Sequence, residues 1–425
     1  MSWLTDLVNQ HQEFESPLSF WKWGALAAIS AVIKDQVWLP RHIYNLYPNI
    51  YVMFHAESGL KKGPPVSMAK QLVEPVNNTK IISGRSSIQG ILKDMGTAHT
   101  MPGGKIVTNS TAFICSSELT SSIIDDPVAT KILTDLYDRN YNVGNWRSLL
   151  KMESFDLKNP TVTMLTATNE AMSESFFTKS AMQGGYFART FIIYENKRNR
   201  PNSLVVPPKF IPDYKTSSAY LKQLAQLKGP IQLLGAREQS DTWSLPHKDR
   251  TTKETYYFSE AGLLYEEWYD EFIETSDEFQ IKDETGTLNR FGDSVLKIAI
   301  LLSLARRPEL IIDTESMREA ILLCEKLIGN IRQTTMGKSG MSLASPMKAL
   351  IIKELLQRDN HQVSRAMLMK KMWMHYSDPE EFDNIMLSFD DAGMIKIESI
   401  GNQVIYRMID TQVKELKDFF EGKSK

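Results

Sequence analysis

The residues best placed to do chemistry in this chain of 425 residues lie between Ala56 and Gly63, where two adjacent lysines follow a glycine. Ahead of them runs an apolar stretch, Ile50, Tyr51, Val52, Met53 and Phe54; behind them Val66, Ala69, Leu72 and Val73 repeat at helical spacing. That order predicts a strand, a loop and a helix. Backbone N–H groups at a helix start converge on one spot, the helix dipole is positive there, and a lysine adds charge, so the spot suits a phosphate. The phosphate-loop pattern G-x-x-x-x-G-K-[S/T] aligns with Ala56 to Gly63 and puts Lys62 at the lysine. Ser58, Gly59, Leu60, Lys61, Lys62 and Gly63 are the candidate nucleotide-binding residues. The fit is partial. Ala56 and Lys61 replace the two glycines, and Gly63 replaces the hydroxyl residue that would bind magnesium beside the lysine. Pro64 and Pro65 suit a first helical turn, where a missing N–H costs nothing. The competing reading is a basic surface turn between a strand and a helix.

Four further residues extend the candidate site. Thr111 to Leu119 is an apolar strand that ends in Ser117 and Glu118, where an acidic pair would hold magnesium and orient water; Ser117 replaces the aspartate and Glu118 remains. A carboxylate that complements a helix dipole is the plainer role for Glu118. Asn159 to Glu170 reads as a strand ending in Thr166, Thr168 and Asn169, placed either to sense a terminal phosphate or simply to make a turn. Gly184 to Tyr194 reads as a strand after a glycine pair, with Arg189 either reaching a neighbouring subunit's nucleotide or pairing with a surface carboxylate. Arg290 opens a helix with the core stripe Val295, Ile298, Ala299 and Leu302, and is a second phosphate-facing candidate or a structural residue.

The elements that position these residues follow a β-α-β-α order, which predicts an α/β fold. Phe20 to Ile33 predicts a buried helix begun by Pro17, too short and too interrupted by Lys22 to cross a bilayer. Val37 to Pro48 reads as a short connection, Lys80 to Ser83 as a strand, and Ile88 to Met95 as a helix. Thr97 to Ser110 reads as a loop or hairpin, and Leu310 to Asp313 as a false strand whose Asp313 is a turn residue before a helix capped by Thr314. After the proline-rich end of the sheet region come mainly helical segments, then the small-residue linker 337–345. Beyond it, helices at about Pro346–Gln357, Ser364–Met374 and Pro379–Ala392 and strands Met394–Glu398 and Val404–Met408 predict a winged helix. Its third helix carries Glu380, Glu381, Asp383, Asp390 and Asp391 and no lysine or arginine, which disfavours a DNA backbone and favours a protein-contact or packing role; Arg365, Lys370 and Lys371 are the alternative DNA contacts. The predicted divisions are 1–47, 48–212, 213–336, 337–345, 346–410 and 411–425.

Composition sets bounds without naming a partner. The net charge is -2 and the pI about 6.4, so nucleic-acid binding requires a local patch or channel. Cys115 and Cys324 are the only cysteines, which excludes a disulfide framework and suits a reducing cytoplasm.

From Pro17 through Gly329 the chain resembles the RecA-like ATPase domain of phage and mobile-element primase-helicases. The likeness rests on the order of the apolar helix, Pro48-Asn49-Ile50-Tyr51 before the lysine loop, the Glu118 strand end, Thr166-Ala167-Thr168-Asn169, Gly185-Tyr186-Phe187-Ala188-Arg189 and the helix opened by Arg290. The resemblance implies a RecA-like P-loop NTPase core with a helical extension, ATP with magnesium, movement on single-stranded or forked DNA, and a homo-oligomeric ring of six subunits. It implies that Lys62 holds the β and γ phosphates, Glu118 polarises water, Asn169 senses the γ phosphate, and Arg189 or Arg290 acts across the subunit interface. A replication protein would dock on the winged helix, and no membrane is involved. Gly63 and Ser117 depart from the family's magnesium ligands, which makes a hydrolysis-deficient, ring-forming DNA-binding or scaffold protein the competing function. No priming centre is expected, and a transcription regulator is disfavoured by the acidic third helix.

Overall fold

Pro17 starts a helix that has almost no polar face. Helix α2 (Leu18–Ile33) buries thirteen residues, from Phe20 and Trp21 through Ile33, which is the signature of a helix enclosed on all sides. Its few polar groups are satisfied: the Ser19 hydroxyl donates to Glu195 at 2.6 Å, Ser30 shares a hydrogen bond with Thr163 at 2.7 Å, and Lys22 pairs with Glu319 at 2.7 Å. The computed structural model describes residues 2–41, 43–76, 79–84, 86–96, 99–100, 106–107, 110–117, 126–138, 145–149, 154–168, 185–200, 211–233, 235–236, 245–248, 255–278, 290–335, 346–372, 379–400, 403–409 and 413. Among them lie twelve α-helices, arranged in two compact units, Met1–Ile328 and Gly329–Lys425.

In the first unit α1 (Trp3–Asn9) and α2 precede a hairpin of β1 (Val37–Arg41) and β2 (Tyr44–Leu46), where a plain connection was expected. Then come β3 (Tyr51–His55), α3 (Gly63–Val73), β4 (Ile81–Ile82) and α4 (Ile88–Gly96). The expected loop or hairpin over 97–110 contains two short paired strands, β5 (His99–Thr100) and β6 (Ile106–Val107). After β7 (Thr111–Ser116) come three elements that the sequence reading did not place: α5 (Pro127–Asp138) and the antiparallel pair β8 (Asn145–Leu149) and β9 (Ser154–Lys158). The strand β10 (Thr161–Thr168) is buried throughout.

The expected strand Gly184 to Tyr194 begins only at Thr190: β11 (Thr190–Tyr194) follows a 3-10 turn over Phe187–Arg189. That turn is held by Tyr186, whose carbonyl accepts from the Arg189 N–H at 3.1 Å and the Thr190 hydroxyl at 3.0 Å.

Strands β11, β3, β10, β7 and β4, in that order, form one five-stranded sheet in which every pairing is parallel. Alternation along each strand supplies two cores. Val52, Phe54, Phe113, Cys115, Leu165 and Phe191 point into the core of α2 and α3, while Tyr51, Met53, Ile114, Met164 and Ile192 point into that of α4 and α5.

The first unit continues with α6 (Tyr214–Leu224), the edge strand β12 (Gly229–Pro230) beside β1, and a small antiparallel sheet of β13 (Gly235–Ala236), β14 (Leu245–Lys248) and β15 (Thr255–Phe258). Helices α7 (Glu260–Glu278), α8 (Phe291–Arg306) and α9 (Thr314–Thr335) follow, and residues of α6, α8 and α9 join the core around α2. Asp313 is the cap of α9, because its carboxylate accepts from the Ser316 N–H at 2.8 Å; Thr314 is already helical.

The second unit holds α10 (Pro346–Gln357), β16 (Gln362–Ser364), α11 (Arg365–Met372), α12 (Pro379–Asp391), β17 (Ile395–Ile400) and β18 (Gln403–Met408). Its antiparallel sheet has the order β16-β18-β17, and its own core contains Ile351, Leu355, Leu368, Phe382 and Tyr406.

The contact of α2 with α3 depends on Gly24. A Cβ at that position would stand 3.1 Å from the Pro65 carbonyl oxygen and 3.2 Å from the Met68 methyl, so a larger residue requires the α3 start to give way by a few tenths of an ångström or more. Gly24→Leu should therefore lower stability by about 1–3 kcal/mol, the usual cost of overpacking. A urea midpoint that does not move would show that α3 relocates freely.

Candidate functional site

The connections of the parallel sheet run in opposite directions from two neighbouring strands. From β3 the chain crosses to β4 at one edge, and from β10 it crosses to β11 at the other. Ligands of open α/β sheets bind outside the carboxyl ends of strands at such a switch point. Residues 56–62 occupy this place, since they follow β3 directly and lead into α3.

Two residues of the loop have left-handed backbone conformations, Gly59 with φ 92° and Lys61 with φ 53°. Lys61 is at the second glycine position of the phosphate-loop pattern, and the glycine that the pattern prefers there would take this φ without steric cost. The Lys62 ammonium folds back over the loop and donates to the carbonyls of Ala56 at 2.6 Å and Glu57 at 2.9 Å. Leu60 is buried against the core, while Ser58 and Gly59 are exposed at the loop's outer side. Gly63 and Pro64 open α3, and Cys115 of β7, two strands from β3, donates its thiol to the Val66 carbonyl at 3.4 Å. Burial pushes the Cys115 thiol up to about 12, so it acts as packing and not as a nucleophile.

The loop thus offers a phosphate an N-terminal helix turn, a backbone free of side-chain bulk at Gly59, and a lysine already held over it. These features fit the phosphates of a nucleotide. The magnesium that would accompany them is less well served: Gly63 has no side chain, and Ser117 stands where a carboxylate is usual. Thr166 and Thr168 lie buried at the carboxyl end of β10, and Thr168 is in register with His55 at the end of β3. Glu118 and Asn169 lie outside the described residues.

Arg189 and Arg290 are brought together, but at the opposite edge of the sheet, roughly 15 Å away along the strand direction. Arg189 precedes β11, is buried, and forks onto Asp138 at the end of α5: Nε donates to Oδ1 at 2.9 Å, Nη2 to Oδ2, and Nη1 to the Gly185 carbonyl at 2.7 Å. Arg290, before α8, approaches the same Asp138 at 3.9 Å and is half-exposed. Both line a cavity of about 80 Å³ with Asn49, Tyr137, Asp293 and Lys297. The Lys297 ammonium donates to the Asn49 carbonyl and side-chain oxygens at 3.0 and 3.1 Å and lies 3.6 Å from the centre of the Tyr137 ring. The Asn49 amide in turn donates to the Tyr137 carbonyl at 3.1 Å.

Asn49, Asp138 and Lys297 are residues that the sequence reading did not select. Lys297 left a signal, a lone cation in the otherwise apolar run Val295 to Leu302.

No protein-family model matches this chain, and no curated protein sequence matches it.

Two outcomes test the amino-edge cluster. Arg189→Met, which leaves Asp138 without its main partner, should lower stability by about 3 kcal/mol. If the chain's thermal midpoint stays put, the Arg189–Asp138 pair is dispensable to the fold.

Burial lowers the Lys297 pKa to about 7, with Asp138 and Asp293 opposing that shift. Between that value and the ordinary lysine value of about 10.5 the unfolded chain holds a proton that the folded chain lacks, so this residue's contribution to stability rises with pH across that window. Compared with wild type, Lys297→Met should lose that rise, on the order of a few kcal/mol, in urea midpoints measured at neutral and alkaline pH. Parallel pH profiles for the two proteins would place the Lys297 proton elsewhere.

Proposed function

We propose that the chain is an ATP-dependent DNA helicase or translocase of phage or mobile-element replication, with a RecA-like P-loop core, a helical extension and a winged-helix domain, working as a homo-oligomeric ring of six subunits on single-stranded or forked DNA. The observation that carries this reading is Lys62, held by the Ala56 and Glu57 carbonyls over a loop at the sheet's switch point. ATP is the proposed nucleotide: Lys62 and the backbone of Ser58 to Gly63 would bind and orient its phosphates. Glu118 would orient the attacking water and Asn169 would respond to the terminal phosphate. Arg290, the half-exposed arginine of the pair, would act on a neighbouring subunit, because Arg189 is buried on Asp138 of its own chain. Magnesium is assigned no ligand from this chain.

The helix, strand, helix, helix, strand, strand order of the second unit supports a winged helix. Two of its cations are engaged within the unit: Arg365 forks onto Asp383 at 2.7 Å, and Lys371 pairs with Glu354. With acidic residues along α12, that arrangement favours a protein partner of the replication machinery over the DNA backbone.

The second reading is a hydrolysis-deficient ring or scaffold that binds DNA on the same fold. It is favoured by the commitment of Arg189 to Asp138 within its own chain, together with Gly63 and Ser117.

The deciding experiment is ATP hydrolysis by the purified full chain, with and without single-stranded DNA, against Lys62→Ala. DNA-stimulated turnover that disappears in the variant is the expected result. Absent turnover with intact DNA binding and ring assembly would establish the scaffold. Undiminished ATP affinity in Lys62→Ala would remove the loop from the site.

A further inference from the structure

Two cations beside the loop have no role in the phosphate-loop pattern, Lys61 and Arg198. Gly59 leaves one side of the loop bare, and among the described residues the atom nearest to its missing Cβ is Arg198 Nη2, at 3.9 Å. Arg198 and Lys61 converge on one carboxylate: Glu15 stands 3.5 Å from the Arg198 guanidinium and 3.9 Å from the Lys61 ammonium. Both cations are half-exposed and both contacts are long, so the two tips are loosely held and open to a second anion, while the Glu15 side chain between them is 18% exposed.

The backbone beneath them is fixed more firmly than the charged tips. The Ser16 hydroxyl donates to the Lys61 carbonyl at 2.7 Å, and the Asn199 N–H donates to the Glu15 carbonyl at 3.0 Å. The Asn199 amide donates to the carbonyls of Gln12 at 2.8 Å and Phe14 at 3.1 Å. The segment after β11 and the arm before α2 are therefore tied to each other and to the loop, while the two cationic tips are held only by Glu15 among these contacts.

We infer that Lys61 and Arg198 are a second phosphate-binding arm of this site, and that the Glu15 carboxylate stands in for phosphate until a nucleoside di- or triphosphate displaces it. The inference rests on the nucleotide-binding reading of the loop. One phosphate meets Lys62 and the start of α3; the next along the chain of phosphates meets Arg198 and Lys61. A monophosphate reaches only the first group, so the arm selects for the number of phosphates. Arginine suits that task through its forked, charge-assisted hydrogen bonds to phosphate oxygens.

The test is the dissociation constant of the full chain for adenosine mono-, di- and triphosphate and for inorganic pyrophosphate, measured by calorimetry. Arg198→Ala should weaken binding of the di- and triphosphate about tenfold and leave the monophosphate unchanged, as expected for loss of one charged hydrogen-bonding partner. Arg198→Lys should recover part of the loss, and Glu15→Gln should tighten triphosphate binding several-fold. If Arg198→Ala binds triphosphate as tightly as wild type while Lys62→Ala binds none, the arm is wrong and the loop stands. If neither wild type nor Glu15→Gln binds any of the four compounds, the loop reading and the arm fall together.

Discussion

The larger core of the first unit is arranged around a helix that has almost no face open to water. With thirteen buried residues on α2, the surrounding elements must enclose it completely, and they do so with the sheet on one side and α1, α3, α6, α8 and α9 around the rest. Each fully buried large side chain on such a helix contributes about 1.5–3 kcal/mol, so a rearrangement that uncovers two of them takes away a large share of a typical domain stability of about 5–15 kcal/mol. This enclosure explains why Gly24 matters to the loop. Through it, the position of α3, and with it the turn that carries Lys62, is set by close packing of backbone on backbone.

The sheet then divides its two edges between different tasks. At the carboxyl edge, the loop after β3 leaves Gly59 bare and presents backbone groups and two lysines. The amino edge instead holds a closed polar network, in which Asn49 joins β10, α5 and α8 just before β3 begins. Leaving any one of these buried groups unmatched costs about 1–3 kcal/mol, which keeps the network complete or absent. A rigid amino edge beneath a strand fixes where that strand ends, and so where the loop begins.

The local elements were legible because their signals are local. The apolar run into β3, the lysine loop and the helical repeat of α3 lie within twenty-five consecutive residues, and the apolar run of α2 announces burial by composition alone. Eight buried residues in β10, four of them threonine, read as a strand because threonine is β-branched. The amino-edge cluster was not legible, because Asn49 and Lys297 are 248 positions apart and Arg189 and Asp138 are 51 apart, and no pattern in one segment foretells such a meeting. The 3-10 turn before β11 was missed with it, since the Arg189 fork onto Asp138 is what turns that arginine inward. Helix α5 is a different case: Ala129, Ile132, Leu133 and Leu136 have core spacing, and the signal was present in the sequence.

The strand order also dictates when this protein can fold during its synthesis. Strand β3 lies between β10 and β11, so both of its neighbours are made long after it is. At typical elongation rates of about 5–20 residues per second, roughly seven to thirty seconds pass between the emergence of His55 and that of Tyr194. Until β10 emerges late in that interval, a strand whose five residues are all buried in the finished protein has neither ladder partner available. Parallel pairing at such sequence separation is slow even for a complete chain. The nascent chain therefore displays its most adhesive segments early, and the enclosure of α2 and β3 is completed only after most of the first unit has left the ribosome.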